Sequence, residues 1–342
     1  MPRLAQETVR NLLSIVIITR NEARNVGRCV ESALAAAARF PGTQIVLVDS
    51  ASTDGTCAIV QRYPVSLVQL KPTWRLTPAA GRYIGTLRTG SEYILFLDGD
   101  MVLNADWVKA GMEFLQTHPQ AAAVSGDMDE IYLNDEGEVV SVLHRRYKVR
   151  ELTEVRGLGG AGLYRRAALD QVGTFNPFVP LREEAELALR LRRAGYKLYR
   201  IPSPIADHYS PPRQSIREIG RRYKAGYYAG FGRALYYSIR SGLGWQFVRE
   251  QGFAYLNFAV YLLVGVVSLL FLVFGQRWQP VALWAMLTVI ALIAFSFKKG
   301  SLRDALLGFA SRGLIVYGGI AGALSALRDP PHYPTDVRVI QP

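Results

Sequence analysis

The sequence predicts a mixed, mostly parallel α/β sheet domain followed by a helical hairpin in a membrane, and three observations lead there. Through the first 200 residues, short apolar runs alternate with helix-spaced patterns, as strands joined by crossover helices do. Later come two uncharged apolar runs, Gly252–Phe274 and Trp278–Phe297, of 23 and 20 residues, each long enough to cross a bilayer. The formal net charge of +12 is also unevenly placed: 25 basic and 23 acidic residues stand up to Asp207, against 15 and 5 after it. A nearly neutral first part and a basic, apolar second part read as a head on a membrane foot.

In chain order, Leu13–Ile18 reads as a buried strand and Asn25–Arg39 has helical spacing. Gln44–Asp49 is a second strand, followed by a Ser/Thr/Asp-rich turn that caps a helix running to about Tyr63. Val65–Leu70 and Tyr93–Leu97 are further strands, and Glu183 begins a helix. The expected divisions are 1–210 for the head, 211–250 for basic interfacial helices, 251–328 for membrane segments and 329–342 for an irregular tail.

The link between the two apolar runs holds only a tight turn. Arg213, Arg217, Arg221, Arg222, Lys224, Arg233, Arg240 and Arg249 precede the first run, and Lys298, Lys299 and Arg303 follow the second, whereas the tip has Arg277. By the positive-inside rule the head and the segment after the hairpin face the cytoplasm, at the cytoplasmic membrane. Tyr236, Tyr237, Trp245, Tyr255 and Trp278 suit an interfacial belt. A third apolar segment, 305–327, contains Arg312 and many glycines; a cytoplasmic interfacial helix is favoured over a span because Arg312 is costly at mid-bilayer.

Cys29 and Cys57 imply neither a disulfide framework nor zinc, and the N-terminal stretch has no run of signal-peptide length. Nucleic-acid binding is disfavoured because the basic residues flank apolar runs.

In a parallel sheet the ligand lies at the strands' carboxyl ends. Those positions carry Thr19-Arg20-Asn21-Glu22, then Asp49 to Thr56, then Asp98-Gly99-Asp100. No glycine-rich phosphate loop is present, so a nucleotide would be held through carboxylates, a divalent ion and an arginine. Read alone, Asp-Gly-Asp serves equally as a turn or cap.

The ordered series IVIITRNEARNV, IVLVDSASTDGT, PAAGRYIGTLRTGSEYILFLDGDM, GGAGLYRRAALDQVGTFNP and EEAELALRLRRAGYKL, across about 13–200, resembles the family 2 inverting glycosyltransferases. The resemblance implies a GT-A nucleotide-diphospho-sugar transferase fold, a UDP-, GDP- or dTDP-sugar donor, and Mg²⁺ or Mn²⁺. Carried over, Thr19, Glu22 and Asp49 hold the donor's base and ribose, with Arg82 and Asp98 at its diphosphate. Asp100 becomes the principal metal ligand beside Asp98 and, in a secondary role, His208. Gly160, Ala161 and Glu183 fall on the acceptor side, and Glu184 is the general base, at a helix N-terminus whose dipole favours a negative charge. Arg20 and Ser50 depart from the commoner family residues, as does Glu184, which stands where Asp is usual. Glu186 pairs with Arg190 four residues on.

The expected function is transfer to a hydroxyl of a lipid-linked or membrane-proximal acceptor, as in cell envelope polysaccharide assembly. A polyprenyl-phosphate glycosyltransferase and an inactive nucleotide-sugar binder are the alternatives.

Overall fold

The structure, a computed structural model, describes residues 11–134, 136–211, 216–325 and 328–342; Arg213 therefore lies outside the described residues. The chain divides into two compact units, 1–211 with 328–342, and 212–327.

The first unit contains β1 (Leu13–Thr19), α1 (Val26–Ala37), β2 (Gln44–Asp49), α2 (Thr56–Val60), β3 (Ser66–Gln69), α3 (Pro78–Leu87), β4 (Tyr93–Asp98), β5 (Met101–Leu103) and α4 (Ala105–Thr117). There follow β6 (Ala121–Leu133), β7 (Val139–Leu143), β8 (Thr153–Glu154), β9 (Gly162–Arg165), α5 (Arg166–Val172), α6 (Glu183–Arg193), β10 (Lys197–Ser210) and, from the far end of the chain, β11 (Arg338–Gln341). One sheet of 11 strands results, in the order β11-β3-β2-β1-β4-β9-β6-β10-β5, with β7 on β6 and β8 on β10. It is parallel among β1 to β4 and between β6 and β10, and antiparallel at β5, β7, β8, β9 and β11.

β1 is buried along its whole length, so its side chains feed two cores. Leu13, Ile15 and Ile17 join Val26, Val30 and Ala33 of α1 on one face. Val16 and Ile18 join Ala79 of α3 and Leu187 and Leu191 of α6 on the other. α3 starts where Thr77 accepts a hydrogen bond from the Ala80 N–H (2.9 Å) and Pro78 occupies the first turn. α2 is shorter than its sequence pattern, ending at Val60: Pro64 has no N–H to extend a helix and disfavours helical geometry in the residue before it.

The expected irregular tail is instead structured. After a 3₁₀ turn at Pro330–His332, β11 pairs antiparallel with β3, and the Gln341 amide donates to the carbonyls of Tyr63 and Val65 at 2.7 and 2.9 Å. Strand β3 would otherwise end the sheet; β11 satisfies its outer backbone groups.

The second unit contains α7 (Ile216–Lys224), α8 (Gly230–Arg240), α9 (Gly244–Phe247), α10 (Phe253–Gly275), α11 (Gln279–Lys299) and α12 (Leu302–Leu324). A π turn at Val248–Gly252 joins α9 to α10. Among the described residues, three helices are long and apolar enough to cross a membrane: Gly244–Gly275, Gln279–Lys299 and Leu302–Leu324, the last being the least apolar. α10 and α11 form the expected hairpin, tied by Tyr261–Thr288 (2.6 Å) and by Trp284 donating to the Tyr261 carbonyl (3.1 Å).

α12 packs on this hairpin near Phe258 and Phe295, through Phe309. The Arg312 guanidinium lies 4.5 Å over the Phe295 ring. The C-terminal half of α12 turns to other partners: Gly318 and Gly322 abut the backbone of Tyr228 and Ala229, and Gly319 abuts Gly232 of α8. Trp245 and Trp278 are exposed, whereas Tyr237 is buried.

Candidate active site

Sheet register alone assembles the polar strand ends. Thr19 stands opposite Asp49, and Ile18 opposite Asp98, so β1, β2 and β4 deliver their last residues to one edge. Gly99 then donates its N–H to the Ile18 carbonyl (2.8 Å) and passes close to Thr19; a Cβ there would lie 2.7 Å from Thr19 Oγ1. Glycine lets the Asp98-Gly99-Asp100 turn press against β1. Gly160 does the same from the other side, since a Cβ on it would overlap Asp98 Oδ2. Gly160 thus makes room for the Asp98 carboxylate. Beside it, Ala161 is buried and its carbonyl accepts from Ser125 (2.8 Å).

Arg82 is the centre of the site. It is 2% exposed, on α3, with its guanidinium 5.3 Å over the Phe175 ring. Nη2 donates to Asp98 (2.7 Å) and lies 3.8 Å from Glu184, while Nη1 donates to Glu183 (3.0 Å). Burial works against the guanidinium charge, but Asp98, Glu184 and Glu183 outweigh it and hold Arg82 protonated. One cation cannot neutralise three carboxylates. Burial and the adjacent Glu184 push the Glu183 carboxyl up to about 8. Burial lifts Asp98 to about 6, with Arg82 opposing and Asp100 adding.

Asp100 faces a second group. Its Oδ2 lies 3.1 Å from Nε2 of His208, whose Nδ1 lies 3.0 Å from Glu130. His208 and Glu130 are direct partners in the β6–β10 ladder, and Arg146 caps Glu130 with a salt bridge. Burial disfavours a charged imidazole, yet the bonds to Asp100 and Glu130 prevail and push His208 up to about 10. His208 thus stands between two carboxylates, Asp100 and Glu130.

Of the residues expected on the donor side, Thr19 is buried and its hydroxyl has no partner among the described residues. Asp49 accepts from the Ser52 N–H and the Gln69 amide, both at 2.9 Å, and from the Ser52 hydroxyl. Glu22 is bonded by Asn25 (2.9 Å), and burial with the nearby Asp100 charge pushes it up to about 7.

The family match falls on this part of the chain. Residues 14–173 match the model of "Glycosyl transferase family 2". Over these residues the first unit is similar to the family 2 glycosyltransferases. Among solved structures, the mannosyltransferase PcManGT from Pyrobaculum calidifontis, in complex with GDP-Man and Mn²⁺, superposes with TM-score 0.60 at 17% identity, over 93% of this chain and 88% of that one. Staphylococcus aureus TarS superposes with TM-score 0.47 at 19% identity, over 64% of this chain; the chain spans 39% of TarS. No curated protein matches. The mixed sheet with flanking helices is the GT-A fold.

Within the glycosyltransferase domain, Glu183 and Glu184 open α6, as expected, and Arg190 grips Glu186 through two bonds of 2.7 and 2.8 Å. Arg82 differs from expectation. Both terminal nitrogens are committed to carboxylates, so it braces the acids and adds a nearby positive charge. Sequence reading missed Glu130 and Arg146. A hint exists in the run Asp127-Met128-Asp129-Glu130, matched by His144-Arg145-Arg146, which pair with Asp129, Asp127 and Glu130 respectively.

Among the described residues no three His, Cys, Asp or Glu side chains form a ready metal cage. The residues nevertheless fit a hard divalent cation that shares its coordination with a diphosphate, since such ions use only one or two protein carboxylates. Asp100 Oδ1 is buried with no hydrogen-bond partner among the described residues, and the surrounding carboxylates carry excess negative charge.

Proposed function

We propose that this glycosyltransferase moves a sugar from a nucleotide-diphosphate donor to an acceptor hydroxyl at a membrane, with inversion, and that it uses a divalent metal. The observation that carries this reading is the meeting of Asp98 with Glu183 and Glu184 on the single Arg82 guanidinium. The donor-side turn and the acidic pair, far apart in sequence, become one site.

In this reading Thr19, Glu22 and Asp49 contact the nucleoside, and Asp98 and Asp100 face the diphosphate. Glu184 takes the proton of the acceptor hydroxyl as its oxygen attacks the anomeric carbon from the face opposite the nucleotide. The bond to the diphosphate breaks, the nucleoside diphosphate leaves, and one displacement inverts the centre. Arg82, bonded to Glu183, holds Glu184 by its charge at 3.8 Å, and that charge favours the departing anion. Asp100, with Asp98 and His208 beside it, would hold Mg²⁺ or Mn²⁺, which supplies Lewis-acid stabilisation of the diphosphate when bound. Binding of GDP-mannose and Mn²⁺ by the mannosyltransferase neighbour makes GDP-mannose the first donor to test.

We infer further that α10 and α11 cross the membrane and α12 does not. Residues 328–342 belong to the same compact unit as the catalytic domain, with β11 hydrogen-bonded in its sheet. Only an even number of crossings returns the chain to that side. α12 is the least apolar of the three helices and carries Arg303, Asp304 and Arg312. Its C-terminal half packs against residues 228–232, not along the hairpin toward the tip. The basic flanks support a cytoplasmic position for the shared side.

The test is transfer by the detergent-solubilised full chain, with labelled GDP-, UDP- and dTDP-sugars, Mn²⁺ and a lipid extract. A labelled lipid-soluble product of inverted configuration supports the reading; donor hydrolysis alone, or no turnover, removes it. Label recovered on a polyprenyl phosphate would identify the acceptor as the lipid phosphate itself.

A further inference from the structure

We propose that Tyr333, in the C-terminal tail, is a positioning residue for the catalytic acidic pair. The proposal rests on Glu183 and Glu184 carrying the acceptor chemistry, and it concerns what holds them there.

The acids are delivered by the segment 174–182, which has no regular structure of its own. It is pinned at its start by Thr174, bonded to Thr86 (3.1 Å), and by Arg190 donating to the Thr174 carbonyl (2.9 Å). Midway, Thr77 donates to the Pro177 carbonyl (2.8 Å). At its exit Arg182 adopts φ +66°, a left-handed conformation that a non-glycine residue keeps only when its surroundings impose it. Glu183 follows immediately.

Tyr333 supplies a further hold. It is 2% exposed and sits among three rings, with centroids 5.6 Å from Phe178, 5.7 Å from Trp74 and 6.1 Å from Tyr83, all edge-on. Its hydroxyl donates to the Arg75 carbonyl (2.8 Å). Phe178 belongs to the delivering segment, and Tyr83 is the α3 neighbour of Arg82. One tail side chain therefore fastens the segment that ends at Glu183 to the helix that carries the guanidinium bracing it.

The remainder of the tail does separate work. β11 covers the β3 edge, Gln341 binds residues 63 and 65, and Asp336 pairs with Lys71. None of these contacts touches 174–182, so the two roles can be tested apart.

The experiment uses the full chain in detergent, with Tyr333→Ala, Tyr333→Phe and, as a tail-weakening control, Lys71→Ala. Transfer kinetics, nucleotide-sugar Kd and amide hydrogen exchange are measured. Tyr333→Ala is expected to lower kcat about tenfold or more with donor Kd little changed, because a small misplacement of a catalytic group is costly. Exchange should accelerate by about tenfold in 174–182 and remain unchanged in β1, β2 and β4. Tyr333→Phe, which keeps the ring, should restore most of both. If the alanine variant does not fold, Tyr333→Leu takes its place under the same criteria. Unchanged kcat with unchanged exchange in 174–182 would overturn the proposal. So would an equal loss in Lys71→Ala, which would make the tail a general support. The exchange readout is independent of chemistry: retained transfer in Glu184→Gln would remove the base assignment alone.

Discussion

Arg82 and Glu183 meet 3.0 Å apart across 101 residues of sequence, and the pair is buried, with Glu183 5% exposed. Asp98 and Glu184 share the same guanidinium, so the carboxylates compete for one cation. That shortage of positive charge governs how the site responds to pH and to substitution.

Folded Glu183 is pushed up to about 8 by burial and by Glu184, from an ordinary 4.5. Between those values the folded protein binds more protons than the unfolded chain, so stability falls as pH rises. The favourable contribution is complete below 4.5 and is lost as pH passes through about 8. Glu183→Gln removes this titration. Thermal midpoints measured across the window should decline less steeply in the variant than in the parent; equal slopes would show that Glu183 does not titrate there.

Replacing Arg82 by Met leaves three carboxylates facing one another without their cation. Breaking a buried pair from one side costs about 3–5 kcal/mol, and denaturant unfolding of the full chain should show a loss of that order. Arg82→Lys keeps the charge but cannot reach carboxylates on both arms of a fork, so it should recover only part of the stability.

Glu184→Gln keeps the size of the side chain and removes its basicity. Transfer should fall by about 10²–10⁴-fold, the usual range for losing a general base, while nucleotide-sugar affinity measured by calorimetry stays close to that of the parent. A variant that transfers normally would move the base elsewhere.

The two halves of the metal reading can be separated. Gly160→Ala should drive Asp98 Oδ2 from its position, and Asp100→Asn removes the negative charge from the carboxylate whose Oδ1 lacks a partner among the described residues. Both should weaken Mn²⁺ binding as seen by titration or paramagnetic resonance, in the absence of any turnover. Asp100→Asn should have the larger effect, since the Gly160 change acts only through a neighbour.

Much of this was legible in the chain because it is local. Leu13–Ile18, Gln44–Asp49 and Tyr93–Leu97 announce their strands by continuous apolar runs, and Asp98-Gly99-Asp100 and Glu183-Glu184 by their places after a strand and before a helix. What escaped depends on distant partners. Glu130 lies in a strand with three acids in four residues, a pattern of a solvated edge, and it is buried only because Arg146 folds over it and His208 stands across the ladder. The partners of Arg82 were hidden for the same reason: its fork was assigned to phosphate, and only the fold brings Glu183 to it. β11 is a four-residue strand after a proline-rich stretch, too short for alternation to separate it from a loop. Its pairing with β3 is decided by the open sheet edge.

The strand that was hardest to read also offers a test of the proposed two-crossing topology. Since β11 lies in the sheet of the catalytic domain, a probe at Thr335 must report the same side of the membrane as one at Glu136 in that domain. A probe at Gln276, between α10 and α11, must report the opposite side. Single cysteines at these positions, after Cys29 and Cys57 are replaced, can be labelled in sealed inverted vesicles with a membrane-impermeant maleimide. Thr335→Cys and Glu136→Cys should react without detergent, and Gln276→Cys only after detergent is added. If α12 crossed, Thr335→Cys would join Gln276→Cys in the protected class, and β11 could not form. A protected Thr335→Cys in an active protein would therefore refute both the two-crossing topology and the tail's place in the sheet.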